Sequence, residues 1–314
     1  KLALEAKVNT IPGWNDAIET AERAVEIAKG IGYPVMIKAS AGGGGRGMRL
    51  VTDLAQLPAA LASARSEALA GFGNGDLLIE RALLNPRHVE VSRRFGSLMT
   101  HVLKQFLTTG LPEIYVLSNV SENGKPIGNH KEGWNWHSDL SYVAEPSMGS
   151  LLYSVEVPPE GADTLFASMH LAYEALPPAT QQRIRHMTAT HSYAGYYGKA
   201  FADRTPLSAE QKARTPDVRH PVVRTHPTTG RLSLYVGEDI IKHIDDLPPE
   251  ESAALLDTLN KHAISDAFTY RHRWQQGDLV IWDNRCTMHC ATPYDDNKYR
   301  RVMHRTTVAG TRPF

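Results

Sequence analysis

The sequence predicts a mainly β protein, a double-sheet jelly roll with helical inserts, preceded by a small α/β segment. Two observations carry this. Beyond residue 90, strand-like runs recur between Gly- and Pro-bearing turns: "SLLYSVEV", "DTLFASM", "PVVRTHPTTGRLSLYVG", "GDLVIWDNRCTMHCAT" and "RRVMHRTTVAG". Strands of this kind enclosing a buried site fit a double sheet. Before residue 90, helix and strand patterns instead alternate around a run of glycines.

Taken in order, "NDAIETAERAVEIAKG" (15–30) places Ile18, Ala21, Val25 and Ala28 at helical spacing, with Asn15 or Asp16 to cap it and Gly30 to end it. "YPVMIKAS" reads as a buried strand and "GMRLV" as its return, with the glycines between them. Residues 53–69 are helical by their Ala and Leu content, and "GDLLIERAL" (75–83) is a third strand. Further on, the hairpin in "PVVRTHPTTGRLSLYVG" turns at Thr228–Gly230. An inserted helix spans about 249–264, with Leu255, Leu256 and Leu259 on one face. "HSYAGYYGKAF" (191–201) has the Gly and Tyr content of a lid.

The bulk numbers exclude several classes. The chain has 314 residues, enough for two domains, and its 42% hydrophobic and 22% charged content is that of a soluble globular protein. Net charge is zero, so neither a nucleic acid nor an acidic membrane is an expected partner. No apolar run approaches the roughly 18 residues of a membrane span. The first residues are neither a signal nor a transit peptide, and the missing initiator Met suits a fragment or a processed product. Cys286 and Cys290 alone make no disulfide framework and indicate a reducing, cytoplasmic setting. A homo-oligomer is compatible with all of this.

"KASAGGGGRGMRL" (38–50) could cradle phosphate: glycines 42–45 and 47 let backbone N–H groups approach an anion, and Lys38 adds charge. It is not a P-loop, because no G-K-[ST] follows. With "VNTIPGW" and "LLIERALLNPRHVE", the stretch resembles the ATP-grasp portion of biotin-dependent carboxylases over residues 1–90. The resemblance implies nucleotide contacts at Lys38, Gly43, Gly44 and Glu80, with His88 nearby. Its acidic metal ligands and bicarbonate Arg, in a motif like E-x-N-x-R-x-Q, have no counterpart downstream. Without Mg²⁺ ligands phosphoryl transfer should fail, so this segment reads as a partial cradle without its enzyme.

The second half carries a different chemistry. "EGWNWHSDLSY" holds His137 and Asp139, which face the same way on extended backbone, and "WDNRCTMHCATPYD" holds His289. Two imidazoles and one carboxylate make the facial set suited to non-heme Fe(II). "SRRFGSL", "WHSDLSY", "GADTLFASM", "GDLVIWDNRCTMH" and "RRVMHRTT" occur in the order found in the taurine / 2,4-dichlorophenoxyacetate dioxygenase group of Fe(II)- and 2-oxoglutarate-dependent oxygenases, which residues 91–314 resemble.

The resemblance implies iron held by His137, Asp139 and His289, and 2-oxoglutarate held by Thr164 and Arg301. It implies O₂ as co-substrate, an anionic small molecule held by Arg305 and His101, and no catalytic side chain beyond the metal centre. Arg305 follows Arg301 by four residues, so in a strand both point into one barrel mouth. Gly133 departs from the polar Asn of taurine-type enzymes, which puts taurine itself in doubt. Trp134, Trp136, Tyr142 and Trp282 are candidates for the pocket wall, of which one or two are expected there, and both cysteines are expected to pack. The expected activity is hydroxylation of a sulfonate, aryloxy or other carboxylic acid, with release of succinate and CO₂. The alternatives are an ATP-binding carboxylase or ligase fragment, or a non-catalytic fusion with an incomplete barrel.

Overall fold

The computed structural model describes residues 13–14, 16–18, 20–31, 35–41, 48–51, 54–81, 85–122, 124–130, 132–201 and 205–314. The chain divides into two compact units, residues 1–88 with 275–277, and residues 89–274 with 278–314.

In the first unit, an antiparallel sheet runs in the order Gly13–Trp14, Leu77–Arg81, Val35–Ala39, Arg49–Val51. Val35, Ile37, Leu77 and Ile79 are buried in its core, together with Ala24, Ala28, Leu57 and Leu61 from the helices Ala21–Ile31 and Leu57–Phe72. The first helix begins later than the periodicity suggests. Its N-terminus is capped by Thr20, whose Oγ1 accepts from Arg23 N–H at 3.1 Å; Asp16 lies upstream of the helix, and Asn15 lies outside the described residues. It also runs past Gly30 to Ile31: capped at its start, it holds one glycine in its last turn at the modest cost of that residue's propensity. The glycines at 42–45 and 47 lie outside the described residues.

The second unit is built on two antiparallel sheets. The larger runs Leu279–Asp283, Gly149–Glu156, Val302–Val308, Leu111–Ser118, Leu107–Thr108, and Leu98–Met99 also pairs with Val302–Val308. The smaller runs Thr269–His272, Thr164–Ser168, Thr287–Ala291. Their inner faces meet: Phe166 and Trp282 stand 5.4 Å apart between ring centres, one from each sheet. Leu152 and Arg305 from the larger sheet share a cavity with Thr164, His289 and Ala291 from the smaller. This is the double-sheet arrangement expected from the strand pattern.

The inserts match the sequence reading closely. The hairpin pairs Val223–Thr225 with Leu232–Leu234, and the inserted helix spans Pro249–Ala263 with Leu255 and Leu259 buried. The stretch 191–201, read from sequence as having a lid's composition, contains a short helix, Tyr193–Ala200, capped by Ser192, whose Oγ accepts from Gly195 N–H at 3.2 Å. No described helix is long and apolar enough to cross a membrane.

Candidate active site

The site forms where the loop before Gly149–Glu156 meets the edge of the smaller sheet. His137 and His289 exchange both backbone hydrogen bonds, N–H to O at 3.0 and 2.8 Å, which brings residues far apart in sequence side by side. Their rings lie 4.2 Å apart. Nε2 of each stands 3.7 Å from an oxygen of Asp139, and ligand atoms of all three lie within 4.8 Å of one another. His137 Nδ1–H donates to the Asn135 carbonyl at 2.7 Å, so its Nε2 carries the lone pair. Burial pulls His289 down to about 3 and keeps it neutral. Burial by itself would raise Asp139, but Arg305, His289 and His137 hold it well below the usual carboxylate range. Two neutral imidazoles and an ionised carboxylate are the donor set that Fe(II) takes, and the three residues fit it.

A network absent from the sequence reading fixes the carboxylate. Ser150 Oγ donates to Asp139 Oδ2 at 2.6 Å, and Arg305 Nη1 donates to Oδ1 at 2.5 Å. Buried Asn284 accepts from the Asp139 N–H at 3.3 Å and from Trp282 Nε1 at 2.8 Å, and donates to Ser147 and Ser150 at 2.8 and 2.9 Å. Leu140 adopts φ +56° directly after Asp139, a conformation a branched side chain takes only where packing enforces it.

Two cavities flank this centre. The smaller, about 370 Å³, contains Thr164 and Arg301 together with His137 and His289. Arg301, Met303 and Arg305 share one face of a strand and its entry, as the period of two requires, and Arg301 and Arg305 both reach this cavity. No carboxylate among the described residues pairs with Arg301, and its Nε is buried without a hydrogen-bond partner. Burial draws it below the ordinary guanidinium range, to about 10. Thr164 Oγ1 accepts from Trp274 Nε1 at 2.9 Å, leaving its own hydroxyl proton free to donate. An orphaned guanidinium beside a free hydroxyl is what the distal carboxylate of 2-oxoglutarate needs. Gly133 borders the same cavity at φ +81°, where a Cβ would stand 3.3 Å from His137 Cε1; this accounts for glycine in place of a polar side chain.

The larger cavity, about 440 Å³, contains His101, Asp139, Tyr142 and Arg305, with Tyr193 and Tyr196 from the helix Tyr193–Ala200. His101 stacks on Tyr115 at 4.0 Å, its Nδ1 accepts from Leu103 N–H at 3.2 Å, and burial pulls it to about 4. Of the aromatic candidates, Tyr142 and Trp282 each line one of these two cavities, Trp136 belongs to the core, and Trp134 borders a third, smaller space. Cys290 packs in the core. Cys286 lies near His226 and Asp283, but that group is spent on hydrogen bonds: His226 Nδ1 accepts from Thr228 and Thr229, and Arg285 forks onto Asp283.

The nucleotide candidates lie in the first unit. Lys38 Nζ and Glu80 Oε1 pair with each other at 2.6 Å, across strands Val35–Ala39 and Leu77–Arg81. His88 is fully buried, and Gly43 and Gly44 lie outside the described residues.

The family "Taurine catabolism dioxygenase TauD, TfdA family" matches residues 51–307, starting upstream of the boundary near 91 read from motifs. "Carbamoyl-phosphate synthase L chain, ATP binding domain" matches residues 1–93. An alpha-ketoglutarate-dependent 2,4-dichlorophenoxyacetate dioxygenase of Cupriavidus pinatubonensis is 39% identical over 204 residues, 62% of this chain and 70% of that protein. An (S)-phenoxypropionate/alpha-ketoglutarate-dioxygenase of Sphingobium herbicidovorans is 31% identical over 246 residues, 74% of this chain and 80% of the other. The crystal structure of AAD-2 in complex with Mn(II) and N-oxalylglycine superposes with a TM-score of 0.59 at 32% identity, covering 74% of this chain and 81% of that one. The chain therefore belongs to the TauD/TfdA family and is a 2-oxoglutarate-dependent dioxygenase that uses Fe(II) and O₂.

Proposed function

We propose that this dioxygenase hydroxylates a C–H bond of a small anionic organic molecule, with His137, Asp139 and His289 as the iron ligands. The observation that carries the reading is the convergence of those three residues beside a cavity whose wall holds His137, His289 and the orphaned Arg301. Bound Fe(II) and 2-oxoglutarate supply the oxidising chemistry, in which 2-oxoglutarate and O₂ give succinate, CO₂ and one oxygen atom for the substrate. Arg301 and Thr164 orient 2-oxoglutarate by its distal carboxylate. Arg305 and His101 hold the anionic end of the substrate, so that a chosen carbon faces the metal. The tyrosines of the lid helix cover the larger cavity and exclude water. Arg305 and an aromatic wall suit an acid, and two relatives are named for aryloxy acids.

We assign this activity to residues 91–314, and read residues 1–90 as an ATP-grasp segment without a catalytic role. The match to an ATP-binding domain supports the origin of that segment, and the Lys38–Glu80 pair supports its inactivity. The two free cysteines favour a cytoplasmic setting.

Anaerobic titration of the purified protein with Fe(II) and 2-oxoglutarate tests the proposal through the visible charge-transfer band of the chelate. The band should form in the native protein and vanish in His137→Ala and Asp139→Ala. A folded protein that gives no band would sink the assignment.

A further inference from the structure

The larger cavity contains a carboxylate that none of the roles above uses. Glu132 lies in the wall of both cavities, with its side chain only 13% exposed. Its two oxygens are treated differently. Oε2 accepts hydrogen bonds from Tyr115 Oη and Asn129 Nδ2, and a further bond from Asn129 Nδ2 to Tyr115 Oη at 2.8 Å locks the trio. Oε1 accepts none among the described residues. Its nearest partners are His101 Nε2 at 3.6 Å and Arg305 Nη2 at 3.9 Å, both beyond hydrogen-bond reach.

Among the described residues this oxygen has the charge of Arg305 at 3.9 Å but no hydrogen-bond donor, so a ligand that brings a donor to it gains a hydrogen bond. Arg305 pairs with it only at 3.9 Å, while the short contact of that guanidinium is to Asp139, at 2.5 Å. His101 Nε2 stands 3.6 Å away and makes no hydrogen bond to it. Burial opposes ionisation of Glu132, but His101, Arg305, Tyr115 and Asn129 together hold it below the usual carboxylate range. The pocket thus presents a fixed anion and a fixed cation 3.9 Å apart, beside the stacked rings of Tyr142 and Tyr193, 4.3 Å between centres.

We propose that Glu132 determines specificity: its Oε1 receives a cationic nitrogen of the substrate beside the anion held by Arg305, so the preferred substrate is an α-amino-acid-like zwitterion with an apolar side chain. This deepens the oxygenase reading of the site and rests on it. Two charges separated by two or three bonds match the spacing of the two protein groups, and the tyrosine wall takes the apolar remainder. A simple monoanion would satisfy Arg305 and leave the Glu132 oxygen unpaired, which is how a polar site rejects an analogue lacking the donor.

The test uses isosteric pairs that differ in the amino group, phenylalanine with 3-phenylpropanoate and leucine with 4-methylpentanoate. Binding to the anaerobic Fe(II)–2-oxoglutarate protein is read by calorimetry and by perturbation of the charge-transfer band. The native protein should bind an amino member about tenfold or more tightly than its partner. Glu132→Gln should bring that preference to within about twofold while the band still forms, and Glu132→Asp should retain part of it. Equal binding within each pair, binding of neither member, preference for the deamino acids, or a preference that survives Glu132→Gln overturns the proposal. Absence of the band from the native protein overturns the oxygenase reading instead, so the two failures are distinguishable.

Discussion

Replacing Arg301 by methionine should move stability and co-substrate affinity in opposite directions. Burial draws the guanidinium below its ordinary range to about 10, with no carboxylate among the described residues to compensate, which corresponds to about 3 kcal/mol of unfavourable solvation in the ligand-free protein. Methionine fills similar space without that charge. The unliganded variant should therefore melt higher, by up to about 10 °C if the full penalty is recovered in a domain of this size. Binding of 2-oxoglutarate should weaken by about 2–4 kcal/mol, or about 30- to 700-fold, because its distal carboxylate loses a paired fork. Thermal melts with and without 2-oxoglutarate in the presence of Mn(II), together with calorimetry, measure both quantities. A merely structural arginine would give a variant that is less stable and still shifts upward with 2-oxoglutarate. That result would refute the reasoning.

Other perturbations probe the surroundings. Asn284→Ala removes the acceptor of Trp282 Nε1 and the donor to Ser147 and Ser150, so stability should fall by about 2–3 kcal/mol and metal affinity by about 10- to 100-fold, read by denaturant melts and anaerobic metal titration. Burial pulls His191 to about 3 and His304 to about 4, so both are neutral in the fold while the unfolded chain takes protons near 6.5. Their contribution is complete above pH 6.5 and falls away with acidification, by about 2 kcal/mol each at pH 5. Melting temperatures from pH 7 to 5 should show this decline, and His191→Phe should flatten it; an unchanged slope in the variant would contradict the assignment. Mg²⁺ with ATP should leave the melting temperature unchanged because Lys38 is already paired with Glu80, whereas a shift that Lys38→Ala abolishes would restore a nucleotide role to the first unit.

How much of the site was legible in the sequence follows from how each part is built. His137 and Asp139 could be read because extended backbone puts residues two apart on one side, and Arg301 and Arg305 because the same period spans four. His289 could be recognised only through its motif. What joins it to His137 is a backbone bridge between a loop and an edge strand, and no local pattern encodes that pairing. Asn284 lay inside a quoted motif, yet its value comes from four partners spread over residues 139–282, which sequence spacing does not display. The first helix was misread at its start because Asn15, Asp16 and Thr20 are all competent caps, and only the register of the chain chooses among them.

Glu132 is the extreme case. In "KEGWNW" it looks like any solvated glutamate, one residue from a lysine and one before a glycine. Its burial is produced by three remote events: Leu111–Ser118 presents Tyr115, the bridge of Asn129 to Leu117 fixes the following loop, and Val302–Val308 carries Arg305 opposite Tyr115. Together they place a carboxylate beside a guanidinium within one cavity. The iron and 2-oxoglutarate contacts can recur across a family as motifs because each is a residue type at a fixed position on a strand or its entry. Glu132 instead reaches the cavity through how those strands are brought together, which no single motif records.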